Sequence, residues 1–264
     1  MKIKREVAEY RRDECAVFLK TNERFGGLSN MAGGYPLRIN DIKILTTEAL
    51  YQACRFPHRP DVQKIIIGQA SPMTAKMKSK PYRKDSRPDW DDVRVKIMWW
   101  CLRVKLAQNW DQFASLLLST GNKPIVEESR RDPFWGAKPV GDQMLVGTNV
   151  LGQLLTLLRD SLRSPDAYKL LVVRPPQIPD FLLIEKPIGV IRSSGSLNLL
   201  GIADHKQLNS SSASANTEVA SSSLIVREIQ EENVLPPSFL RSEQEQVETF
   251  SLSSVVSFQQ QSLF

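Results

Sequence analysis

The sequence predicts an α+β fold, predominantly helical with a small β-sheet and followed by a low-complexity tail. Three observations predict it. Apolar residues recur at helical spacing along two long stretches. Short alternating or continuous apolar runs interrupt the first half, as half-buried or buried strands do. Past Pro165 the character changes, and residues 193–223 hold ten serines in 31 positions.

In chain order, residues 16–19 form an apolar run of buried-strand type. Residues 37–44 read as a hairpin, because Leu37 and Ile39, then Ile42 and Ile44, alternate with polar residues around a two-residue Asn40-Asp41 turn. Thr46 or Thr47 caps a helix through Glu48, Leu50, Tyr51, Ala53 and Cys54 towards Phe56, where Pro57 stops it. Ser71-Pro72 is an N-cap and first-turn pair for a short helix containing Ala75 and Met77. From Asp89, with Asp91 and Asp92 complementing the dipole, Val93, Ile97, Trp100, Cys101 and Val104 mark a long helix. Residues 113–118 are a shorter helix ended by Gly121, and residues 124–126 a strand. From Thr148 or Asn149, Leu151, Leu154, Leu155, Leu158 and Leu162 line one face of a last helix, closed by Arg159, Arg163 and Pro165. Residues 170–173 and 181–184 are strand-like and are joined by a proline-rich turn. The organisation expected is a domain over 1–165, a β extension docked on it over 166–192, and a Ser/Gln-rich disordered tail over 193–264, which has too little apolar surface to offset ordering entropy.

No apolar run approaches the roughly 20 residues that span a bilayer, and the charged N-terminus has no apolar segment behind it, so neither a membrane partner nor a secretory signal is expected. Cys15, Cys54 and Cys101 are a sparse, odd set without a CxxC pair, which excludes a disulfide scaffold and a zinc site and fits a reducing cytoplasm. Only His58 and His205 are present, so a Ser-His-Asp triad or a histidine-rich metal site is excluded; GxGxxG and P-loop motifs are absent too. No metal or other cofactor is expected. The net charge of +6 conceals an asymmetry: residues 1–165 carry 28 Lys and Arg against 18 Asp and Glu, and the remainder 7 against 11. A basic domain reads either as ordinary solvated charge or as a surface for a phosphate-bearing ligand or nucleic acid.

Seven ordered blocks carry more specific information: FGGLSNM (25–31), TTEALYQACRF (46–56), ASPMTAKM (70–77), RPDWDDVRVKIMWWCLRVKLAQN (87–109), LLSTGNKPIVEES (117–129), RDPFWG (131–136) and GTNVLGQLL (147–155). Together they resemble the successive motifs of the YbiA-like, or NADAR, family. The resemblance implies hydrolysis of N-glycosidic bonds to ribose without metal or redox cofactor. Its first implied substrate is a small phosphorylated ribosyl-aminopyrimidine, an early intermediate of riboflavin biosynthesis whose disposal limits metabolite damage. Two alternatives stay open: an ADP-ribosyl glycohydrolase acting on guanine in ADP-ribosylated nucleic acid, and a non-catalytic ADP-ribose-binding module.

Breaking a C1′–N bond passes through an oxocarbenium-like state, which needs a carboxylate near C1′ and a proton for the departing nitrogen. Glu48, read in isolation, is a first-turn acid satisfying backbone amides; the family motif makes it the leading catalytic carboxylate. Many relatives carry histidine at the next position, and Ala49 stands there, which leaves the proton donor open. Asp132, a turn-capping residue on its own, becomes through the resemblance a second catalytic carboxylate orienting ribose hydroxyls or water. Trp90 and Trp135 are read as base-stacking surfaces, with a buried anchor as the alternative for Trp90 and the expectation for Trp99, Trp100 and Trp110. Asp89 is read as a cap. Arg83 and Arg87, in a basic run that otherwise reads as a solvated loop, are candidates for holding a phosphate. Asn30, Gly147 and Asn149 match family positions near the pocket, Asn149 at a helix start that offers backbone amides to an oxygen or phosphate.

Overall fold

The computed structural model describes residues 3–193 and 195, so the tail expected over 193–264 lies almost wholly outside the described residues. The fold is α+β and mainly helical. Its β structure is divided among small ladders, where one small sheet was expected.

Strand β1 (Ala8–Arg11) is exposed and charged, and gives no apolar signal. Strand β2 (Ala16–Phe18) buries both of its ends. The predicted hairpin forms as β3 (Leu37–Ile39) and β4 (Ile42–Ile44), antiparallel with Leu37 facing Ile44. Asn40 and Asp41 both take positive φ, 47° and 65°, the left-handed pair that a tight two-residue turn requires and that Asn and Asp tolerate. Helix α1 (Thr47–Ala53) follows, with Thr46 as its N-cap: its hydroxyl accepts from the Ala49 amide at 3.2 Å. All seven residues of α1 are buried, Glu48 among them.

Helix α2 (Pro60–Ile67) was not anticipated, although proline in its first turn and Asp61 are ordinary start signals. Helix α3 (Pro72–Ser79) is capped by Ser71 as expected and runs into a 3-10 helix over Lys80–Asp85. The long helix α4 (Trp90–Gln108) is the spine of the core, with Ile97, Trp100, Cys101 and Val104 buried along it. Asp89 precedes it but gives no side-chain cap; its carboxylate binds Arg87 instead. Helix α5 (Trp110–Leu118) begins three residues earlier than the apolar pattern suggested, at buried Trp110.

Strand β5 (Ile125–Glu127) pairs in parallel with β2, Phe18 beside Glu127. Strands β6 (Lys138–Val140) and β7 (Met144–Gly147) form a hairpin, and β1 joins the free edge of β7, giving the order β1-β7-β6. Helix α6 (Val150–Leu162) packs its leucine stripe on β5, α4 and α5. The stretch after it contributes two ladders: β8 (Val172–Val173) with β11 (Ile191–Arg192), and β9 (Leu182–Leu183) with β10 (Lys186–Pro187). Both β8 and β11 contact α4, and Phe181 meets Trp100 edge-on at 4.9 Å. Cys15, Cys54 and Cys101 are free and buried. Among the described residues no helix is long and apolar enough to cross a membrane, and no group of three or more His, Cys, Asp or Glu is placed to hold a metal.

Candidate active site

A cavity of about 290 Å³ opens between α1, α3, α4 and the loop before β6. Six of the nine residues singled out from the sequence line it: Asn30, Glu48, Arg83, Trp90, Asp132 and Trp135.

Glu48 is held in place from several sides. Its backbone amide donates to the Asn30 carbonyl at 3.1 Å. Gln52, one helical turn on, donates to its Oε1 at 3.0 Å, and Ser79 donates to the Gln52 Oε1 at 3.0 Å. Lys76 Nζ lies 3.9 Å from Glu48 Oε1. Since Thr46 already caps the helix, Glu48 has no first-turn amide to serve; its carboxylate, 5% exposed, faces the cavity.

Asp132 does two things. Its Oδ1 accepts from the amides of Phe134 and Trp135, at 3.1 and 3.0 Å, which makes the turn, and the residue still lines the cavity. The 131–136 loop is seated on the start of α6. The amides of Thr148, Asn149, Val150 and Leu151 donate to the carbonyls of Pro133, Gly136, Phe134 and Trp135 at 2.7–3.0 Å. The first amides of α6 are therefore already satisfied by protein, and they offer nothing to a phosphate.

That corrects the expectation for Asn149, which lies outside this cavity's lining. In left-handed conformation (φ 52°), it donates from Nδ2 to the Ile125 carbonyl at 2.9 Å and accepts the Glu127 amide at 3.1 Å, clamping β5. Gly147 is also outside the lining: a Cβ there would lie 2.7 Å from the Ala137 Cα and 2.8 Å from the Pro133 carbonyl, so its role is to let the 131–136 loop close on β7. Arg87 departs furthest from expectation. Its guanidinium is buried, bound to Asp89 and, at 2.7 Å, to the Pro179 carbonyl, so it ties the 172–192 segment to the start of α4 rather than facing a ligand.

The two tryptophans divide. Trp90 is 6% exposed, packed against Tyr51 (5.2 Å between centroids), with the Arg55 guanidinium 4.3 Å over its ring. With one face under Arg55, it lines the cavity as a largely buried wall, which fits the anchor alternative better than stacking. Trp135 is partly exposed and meets Tyr51 and Phe134 only edge-on, at 5.8 and 5.1 Å. Of the remaining tryptophans, Trp100 and Trp110 are buried and Trp99 is half-buried.

Sequence reasoning missed Tyr51, Gln52, Arg55, Lys76 and Arg94 as lining residues, and Glu127 above all. Arg55 has a buried Nε without a hydrogen-bond partner; burial, then Arg83 and Arg94, lower its pKa. Arg55, Arg83 and Arg94 thus line one cavity together, a set of guanidiniums suited to binding an anion. Glu127, at the end of β5, is pushed up to about 7 by burial first, and by the charges of Glu48 and Asp132, against the opposing pull of Lys76. Tyr51 is pushed up by burial and by Glu48. Lys105, behind the site, donates to the carbonyls of Gly27 and Ser29 at 2.6 and 3.1 Å and is lowered to about 7 by burial. It braces the loop that presents Asn30, whose Oδ1 is buried and without a partner.

The NADAR domain family matches residues 17–163, which contain every lining residue of the cavity. The chain is 30% identical over 153 residues to N-glycosidase YbiA of Escherichia coli, covering 57% of this chain and 89% of that protein. It is 30% identical over 149 residues to N-glycosidase Npun_R5314 of Nostoc punctiforme, 56% of this chain and 92% of that one. It is 30% identical over 155 residues to riboflavin biosynthesis protein VVA0006 of Vibrio vulnificus, of which the match spans only 40%. An NMR structure of the E. coli protein YbiA, 27% identical, aligns over 62% of this chain and 94% of its own length with a TM-score of 0.49.

Proposed function

This chain belongs to the NADAR domain family, and from that premise we propose that it is an N-glycosidase hydrolysing the C1′–N bond between ribose 5-phosphate and the aminopyrimidine of early riboflavin-pathway intermediates. One observation carries the reading: Glu48 and Asp132 share a single cavity with the accessible ring of Trp135 and with Arg55, Arg83 and Arg94.

Each group then has a task. The ring of Trp135 stacks on the flat base. Arg55, Arg83 and Arg94 hold the phosphate by charge-assisted hydrogen bonds, in place of the Arg87 expected from sequence. This fixes the ribose with its anomeric carbon towards the carboxylates. Glu48, its orientation set by Gln52, stabilises positive charge at C1′ and takes a proton from the attacking water, while Asp132 orients a ribose hydroxyl or that water. Nothing in this scheme requires a cofactor. The two relatives named as N-glycosidases, and the one named for riboflavin biosynthesis, support the reaction class and the substrate class respectively.

The test is incubation of purified protein with a ribosyl-aminopyrimidine 5′-phosphate and, separately, with an oligonucleotide carrying ADP-ribosyl guanine. Release of ribose 5-phosphate from the first supports the proposal. Turnover of the second alone selects the ADP-ribosyl glycohydrolase reading, and saturable ADP-ribose binding without turnover of either selects the binding module.

A further inference from the structure

We propose that Glu127 is a further catalytic residue of the cavity and that its carboxylic acid delivers the proton to the nitrogen departing from C1′; the proposal rests on the N-glycosidase reading above.

Glu127 and Glu128 are consecutive at the end of β5. Alternation along β5 turns them to opposite sides. Glu128 accepts Arg12 Nη1 at 2.7 Å, an ordinary ion pair. Glu127 faces the cavity, and among the described residues its carboxyl has neither an ion pair nor a side-chain hydrogen bond. The other two cavity carboxylates are held as acceptors, Glu48 by Gln52 and Asp132 by two loop amides. Donors favour a carboxylate's charged form, whereas burial and neighbouring negative charge favour the acid. Of the three, Glu127, half-buried in the cavity wall, alone has no protein donor among the described residues.

Its backbone is fixed as strictly as that of any residue at the site. The amide donates to Asn149 Oδ1 at 3.1 Å, the carbonyl accepts the Ala137 amide at 2.8 Å, and β2 fixes the register through Phe18. Asn149 is thereby a positioning residue, acting on the reaction through β5. The charged groups around Glu127 come from every wall: Glu48 on α1, Lys76 on α3, Asp132 on the loop, and the cations Arg55, Arg83 and Arg94 towards the phosphate end. Burial and the two acids outweigh Lys76, holding the group near 7, where donor and acceptor forms coexist at neutral pH.

The step balances without a further reactant. The C1′–N bond breaks with its electron pair going to nitrogen, and Glu127 gives nitrogen a proton. Water oxygen bonds to C1′ and gives a proton to Glu48. Proton exchange with solvent restores both glutamates, for a net addition of water across the bond. Glu127 thus takes the part that Ala49, lacking any ionisable group, cannot.

The experiment compares two substrates on the full chain: the ribosyl-aminopyrimidine 5′-phosphate, whose leaving nitrogen needs a proton, and 4-nitrophenyl ribofuranoside 5-phosphate, whose leaving group does not. Glu127→Gln is expected to lose roughly 10²–10⁴-fold in kcat on the first and less than about tenfold on the second, while Glu48→Gln loses heavily on both. Equal losses of Glu127→Gln on both substrates, or wild-type turnover on the first, overturn the assignment. If Glu127→Gln does not fold, the wild-type protein decides: kcat/KM must fall on the alkaline side of about 7 for the aminopyrimidine substrate and stay flat for the nitrophenyl one. Matching profiles overturn the assignment. Wild-type protein that turns over neither substrate overturns the N-glycosidase reading itself, an outcome distinct from both.

Discussion

Lys105 gives the structure an unusual signature in its stability. The side chain is fully buried on α4, its ammonium held by the Gly27 and Ser29 carbonyls and lying 4.3 and 4.4 Å over the rings of Tyr35 and Phe113, with no carboxylate on it among the described residues. Burial lowers its pKa from 10.5 to about 7. The unfolded chain therefore binds this proton more tightly, unfolding takes up a proton above neutrality, and folded stability rises with pH. Integrating the two titrations from about pH 7 to about pH 8.5 gives a gain of about 1.6 kcal/mol, at 1.36 kcal/mol per pKa unit. Glu127 works in the opposite sense, because its folded pKa is raised to about 7; it withdraws about 0.4 kcal/mol over the same interval. The buried thiols of Cys101 and Cys15, also raised, withdraw stability from about pH 8 upward as the unfolded thiols ionise, and the Tyr51 phenol only above about pH 9; wild type and a Lys105 variant share these losses, so they cancel in the difference. Urea unfolding of wild type and Lys105→Met at intervals across this range isolates the term: the variant loses stability with pH, and the wild-type curve rises relative to it by about 1.6 kcal/mol. If the two curves run parallel, Lys105 is not a buried, depressed ammonium and the packing argument around it fails.

Trp90→Ala is expected to destabilise the fold by about 3–5 kcal/mol, read by thermal melt, because it removes a buried anchor under Tyr51 and Arg55. Trp135→Ala should leave the melt nearly unchanged and weaken substrate binding by about 1–3 kcal/mol, read as a raised KM. Similar melts for the two variants would contradict their division. Gly147→Ala should yield a folded protein with strongly reduced turnover, since its methyl group pushes the 131–136 loop, and Asp132 with it, off β7; undiminished turnover would show that the loop tolerates the displacement.

Much of this was legible in local sequence, and the exceptions have physical causes. The 37–44 hairpin was readable because alternation and turn chemistry agree, and α3 because Ser71-Pro72 is a start signal with a mechanism. Strand β1 was not, because it is charged and exposed, and its pairing with β7 comes from the other end of the domain. For Glu48 the family motif and the geometry meet. Arg87 and Asn149 lie in the right segments, but their side chains are spent on Pro179 and on β5, contacts that span 92 and 24 residues of chain. Arg55 sits in the turn just past α1 and Arg94 within α4, each beside an apolar stripe that masks it. Lys105 did leave a trace: it follows Ile97 and Cys101 at four-residue steps along the buried face of α4, where a charge stands out. Glu127 left almost none, because an Glu-Glu pair reads as solvated charge until tertiary structure sends one member inward.

The central claim is that a cavity carboxylate on α1 performs N-glycoside hydrolysis, and Glu48→Gln tests it most directly. The substitution keeps size and shape and removes the charge an oxocarbenium-like state needs. Steady-state release of ribose 5-phosphate from a ribosyl-aminopyrimidine 5′-phosphate, measured beside a thermal melt, should show a normally folded variant whose kcat has fallen roughly 10²–10⁴-fold with KM little changed. Wild-type turnover in a folded Glu48→Gln protein would contradict the account.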